Sequence, residues 1–140
     1  MTMLVVEMAK YLAEIGLGKL DETGANGNIF VGVLPESPDE CISLYPTGGQ
    51  YSPTGEPYDD PTVQIIVRGG QDPRTPAELA QSIYDALHGF RGGSFVDGGA
   101  YIVSCRGLQS APAHIGRDEN RRHEYSVNFQ LRVFNPNRRQ

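Results

Sequence analysis

The sequence predicts an α+β fold. It reads as a single domain on a mainly antiparallel sheet, with two helices packed on one face and the order α-β-β-β-α-β-β. Three observations point there. Two segments repeat apolar residues at helical spacing, while most other apolar residues fall in short, β-branched runs. The final run, Arg122–Phe134, sets Tyr125, Val127, Phe129, Leu131 and Val133 against Glu124, Ser126, Asn128, Gln130 and Arg132. Such period-two alternation gives a strand one buried and one polar face, as in an antiparallel sheet covered on one side. Finally, 140 residues suffice for one core without disulfide staples or a structural metal.

Taken in order, the first helix is expected from about Met3 to Ile15. Leu4, Met8, Tyr11, Leu12 and Ile15 make its apolar stripe, Glu7, Lys10 and Glu14 its polar face, and Gly16 and Gly18 end it. Turn residues 21–27 lead into a strand, Ile29–Leu34, which Pro35 and Pro38 stop because neither donates to a ladder. Cys41–Tyr45 is a second short strand and Thr62–Arg68 a third. Between them lies a long proline- and glycine-rich loop, 46–61, with Tyr51 and Tyr58 as amphipathic rings suited to contacts. Thr75 as N-cap, Pro76 at the first turn and Glu78 three residues on form a capping box for the second helix. Its stripe is Leu79, Ala80, Ile83 and Leu87, and Gly89 closes it. A glycine-rich connection, Arg91–Gly99, precedes a strand at Ala100–Leu108, then a second long loop, Gln109–Asn120, and the alternating strand. No internal repeat or linker divides the chain, so residues 1–140 are expected to form one domain.

Glycine and proline together make up 27 of the 140 residues, which indicates large loops rather than low complexity. No apolar run approaches the ~18 residues of a membrane span, and the acidic N-terminal stretch does not read as an export signal. Two separated cysteines suit a reducing cytoplasm. The net charge of -5 argues against a dedicated nucleic-acid binder. That total hides a split: residues 1–60 carry ten acids and two bases (-8), whereas residues 61–140 carry seven acids and ten arginines (+3).

No catalytic constellation is evident in the sequence. Gly92-Gly93-Ser94-Phe95-Val96 starts like a nucleophile elbow, but its fifth residue is valine. Gly16-Leu17-Gly18-Lys19 follows a helix instead of opening one, unlike a phosphate loop. His88, His114 and His123 lack partners at metal-ligand spacing, and Asp39 and Glu40 oppose a thiolate at Cys41. Carboxylate pairs at Asp39-Glu40, Asp59-Asp60 and Asp118-Glu119 read as solvated loop charge. The segment from Gly116 to Glu124 mixes three arginines with three acids, a pattern suited either to salt-bridged protein contact or to a charged, solvated hairpin.

The ordered set of motifs resembles the minor capsid and tail terminator proteins of long-tailed bacteriophages. The set comprises the helix ending in Gly16-Leu17-Gly18, then Asn28–Pro35 with Pro38-Asp39, and Thr47-Gly48-Gly49. Pro61–Ile65 with Arg68-Gly69, the helix of Ala77, Ala80, Ile83 and Leu87, Gly116-Arg117-Asp118 and Arg122–Phe129 complete it. The resemblance implies a structural virion protein at the head-proximal end of the tail, assembled in the host cytoplasm. It would form a ring, typically of six copies, that stops tail-tube polymerisation and meets the head connector or stopper protein. No catalytic residue, cofactor, metal, membrane contact or specific nucleic-acid recognition is implied, although DNA would pass through the ring. Candidate contact residues are Gln50, Tyr51 and Tyr58 of the long loop, Arg68, and Arg117, Asp118, Arg121, Arg122 and Glu124. Another joining component, such as a head-completion or stopper protein, is the alternative reading, followed by a small cytosolic enzyme.

Overall fold

The alternating run becomes the spine of the sheet. In a computed structural model that describes residues 3–21, 26–52 and 55–137, it forms β8 (His123–Phe134). One edge of β8 takes β3 (Tyr58–Asp59) and β4 (Thr62–Arg68), and the other takes β6 (Tyr101–Gly107) and β7 (Ala113–Arg117). Outside β4 lies β2 (Cys41–Pro46), then β1 (Ile29–Val31), while β5 (Gly93–Ser94) extends β6. Among the described residues, eight strands form one mixed sheet in which only the β1–β2 pair is parallel.

Both helices, α1 (Leu4–Glu14) and α2 (Arg74–Leu87), join one core with a single face of this sheet. Val5, Met8, Ala9 and Leu12 of α1 and Ala80, Ile83 and Leu87 of α2 meet Ile42, Leu44, Val63, Ile65, Val67, Val127, Phe129 and Leu131. Each aliphatic side chain taken fully out of water there contributes about 1.5–3 kcal/mol, which is what holds two short helices in place. The α+β architecture and the helix-covered face follow the sequence expectation.

Several local expectations change. Three short strands lie where loops were expected, because pairing with a long neighbour does not need a strong pattern in the added strand. β3 sits inside the 46–61 loop, β5 inside the 91–99 connection, and β7 inside the 109–120 loop. The Thr75 capping box does not form. The helix starts two residues earlier, at Arg74, with Pro73 in the cap position. Asp72 replaces the box by accepting the Arg74 N–H at 3.0 Å, and its side chain is held by the Arg74 guanidinium at 2.9 Å. Those hydrogen bonds bring the Asp72 carboxyl down to about 2. Glu7 does not lie on a solvated face either. It is buried, and its Oε1 accepts the Ala100 N–H at 2.9 Å. Gly99 leaves the room for it, since a Cβ there would run into the Glu7 carboxylate.

Candidate functional site

The other face of the sheet carries the polar half of the alternation. Ser43 of β2, Thr62, Gln64, Ile66 and Arg68 of β4, and Glu124, Ser126, Asn128, Gln130 and Arg132 of β8 alternate with the core residues and so point away from the helices. The connection from β1 to β2 crosses part of this face, because two arginines pin it there. Arg68 donates from Nε to the Asp39 carbonyl at 3.1 Å and from its guanidinium to the Pro38 carbonyl at 2.7 Å. Arg122 donates to the Glu36 carbonyl and to Asp39 Oδ1 at 3.2 Å. On this face Cys41, Ser43, Ile66 and Ser126 are buried.

The candidate contact residues fall into two groups at opposite ends of β8, about 30 Å apart by the rise of an extended strand. Arg68 lies opposite Glu124, and Arg117 opposite His123. Asp118, Arg121 and Arg122 make the tight turn between β7 and β8. Asp118 Oδ1 accepts the N–H groups of Asn120 and Arg122 at 2.9 Å, and its Oδ2 takes Arg122 Nε at 2.7 Å. Arg121 completes the turn with φ 61°, a left-handed conformation. Loss of water around the Asp118 carboxyl pushes it up, but hydrogen bonds from Arg122 and Asn120 outweigh that and hold it below the usual carboxylate range. Burial drives the Arg122 guanidinium towards the neutral form, yet Asp118 and Asp39 reverse this and raise it.

Arg68 and Arg122 are therefore buried, satisfied by groups of their own chain, whereas Arg117 and Arg121 are exposed. Neither of the latter two makes an ion pair among the described residues. The strap carbonyls that hold Arg68 and Arg122 had no sequence signal, since main-chain acceptors carry none. Histidines kept apart in the sequence also meet: His114 Nε2 lies 2.9 Å from His123 Nδ1, with the Tyr125 ring edge-on to His114.

At the far end, Tyr58 faces Phe134 across the β3–β8 pair, and the Arg132 guanidinium sits 4.7 Å over the Tyr58 ring. Gln50 bridges to Asp60 and lines a shallow pocket of about 270 Å³ with Arg106, Gln130 and Arg132. Tyr51 is 89% exposed. A larger groove of about 670 Å³ lies round the corner, between Leu4, Glu7, Asp97, Tyr101 and Phe134. Among the described residues no three of His, Cys, Asp and Glu gather as a metal cluster. Both thiols are buried, and burial raises them, Cys105 to about 12.

Residues 11–134 match the family model for bacteriophage tail terminator proteins. The chain belongs to the bacteriophage tail terminator family. The match runs from the middle of α1 to the last residue of β8, so it includes every strand and both groups of contact residues. Family membership makes this a structural, tail-related protein of the virion. The fold is also similar to a chain in the solved virion of a native gene transfer agent particle. That likeness has a TM-score of 0.56 at 15% identity and covers 94% of this chain and 92% of the other. No curated protein matches the chain.

Proposed function

We propose that this terminator-family protein assembles as a ring, typically of six copies, at the head-proximal end of the tail. There it stops polymerisation of the tail tube and joins the tail to the head connector or stopper protein. The observation that carries the reading is the family match across residues 11–134. The surface supports it. The polar groups at the two ends of β8 give each copy separate patches, as a subunit with more than one neighbour requires. A heterologous contact between unlike patches closes into a ring when its rotation divides the circle. Exposed Glu36 and Glu40 of the acidic first half and exposed Arg117 and Arg121 of the second offer unlike charges to neighbours, so ring formation is expected to weaken as ionic strength rises.

Arg117 and Arg121, with no ion pair of their own among the described residues, are the side chains offered to acids of the adjacent copy. The Pro46–Pro61 loop is assigned to a neighbour or to the tube, and deletion of residues 47–56 is expected to impair assembly or tail joining. Loss of the protein tests the whole reading by electron microscopy of infected-cell lysates. Overlong tail tubes without heads are expected. Normal-length tails beside filled heads that leak DNA would identify a stopper instead. A hydrolase or transferase activity lost on substitution of His123, Asp118 or Cys41 would point to an enzyme.

A further inference from the structure

Among the described residues, the sheet leaves two edges with unpaired backbone, and they match each other. On the β6 side, the outer edge is closed: Gly89 N–H reaches the Cys105 carbonyl, Gly92 N–H the Ile102 carbonyl, and Gly107 N–H the His88 ring. β7 has no such cover. Four of its five residues are exposed, and among the described residues its backbone makes no hydrogen bond beyond the β8 ladder. At the opposite edge, Asn28 and Gly32 bond to β2, so the residues between them alternate and Val31 turns its N–H and C=O outward. The Ile29 N–H, like that of Asn28, goes to the Lys19 carbonyl, and among the described residues the Ile29 C=O and both Val31 groups face out without a partner.

These edges stand at one level. Ile29 lies opposite Ile42, Ile42 opposite Val67, Val67 opposite Tyr125, and Tyr125 opposite His114, a single row across the sheet. Their directions are opposite, because β1 runs with β2 and each later step to β4, β8 and β7 reverses the chain. A second copy set beside the first in the same orientation therefore brings its β1 antiparallel to β7. The register shift between His114 and Gly116 bends β7, and a bend between copies is what distinguishes a closing ring from a flat ribbon.

We infer that neighbouring copies join by antiparallel pairing of β7 of one copy with β1 of the next, so that the sheet continues from subunit to subunit. The inference rests on the ring reading above and adds to it the strands that make the contact. The test uses assembled tails carrying Val31→Cys together with Ala113→Cys, and a second variant with Val31→Cys and Pro112→Cys. Each variant is first checked for an unchanged unfolding midpoint. A short bismaleimide is then added; Cys41 and Cys105 are buried and do not compete. Expected is a denaturing-gel ladder from dimer up to the full ring in at least one double variant, with each single variant remaining monomeric. Dimers from Ala113→Cys alone would show β7 meeting β7 and overturn the inference. A ring of normal mass released from tails, with both double variants monomeric, would overturn the strand pairing and leave the ring reading standing. Tails that contain only single copies of the protein would overturn both.

Discussion

The two faces of the sheet solve different problems with the same strands. The helix-covered face is apolar and closed: Phe129, Ile65, Leu44 and their neighbours are wholly buried beneath α1 and α2. The opposite face is polar and only partly covered, by a strap that two arginines hold through main-chain carbonyls. The first face sets the fold, because burial of apolar area is non-directional and large. The second uses Arg68 and Arg122 to fix one loop and Arg132 to pair with Glu56 and Asp60 of another, while Arg117, Arg121 and Tyr51 face outward. Stability and partner contact are thus separable by substitution.

That separation can be broken or sharpened in graded steps. Phe129→Ala, in the closed core, is expected to cost about 3–5 kcal/mol, read as a fall in the denaturant midpoint. Arg122→Ala removes a buried guanidinium with several acceptors and is expected to cost about 2 kcal/mol. Its loss should also speed amide exchange in residues 32–40 before the core is affected. Equal protection of strap and core in that variant would contradict the pinning role. Glu7→Ala leaves the Ala100 N–H without its acceptor and is expected to cost about 1–2 kcal/mol, with Glu7→Gln recovering most of it because an amide oxygen still accepts.

Acid should act mainly on the polar side. The Asp118 carboxyl is lowered in the folded protein, so its contribution is present above the ordinary carboxylate value of about 4. It is lost as pH falls through the lower folded value. The Asn120 and Arg122 amides, both bonded to Asp118 Oδ1, should lose exchange protection in that window. Smallest in stability is Tyr51→Ala, expected to stay within about 0.5 kcal/mol while reducing the fraction of tails joined to heads. If joining were unchanged, the exposed tyrosine would not be part of a contact.

How far the sequence could be read follows the same division. Strong periodicity placed β8, β4, α1 and α2 within a residue or two, because burying one face repeats at a fixed spacing. The short strands β3, β5 and β7 carried no period of their own and exist by pairing with β8 or β6. Glu7 was misplaced because a buried carboxylate needs a specific donor, here Ala100, 93 residues away in sequence. The charged turn was legible as residue types but not as partners. Nothing in the sequence told that Arg122 would turn inward to Asp118 and Glu36 while Arg117 and Arg121 stayed exposed.

The most direct measurement adds the purified protein to polymerising tail-tube protein and follows tube length by electron microscopy against its concentration. Tubes that shorten and stop, with the protein found at one end only, are the predicted result. Tubes that grow to the same length at every concentration, or that carry the protein along their sides, would contradict the account.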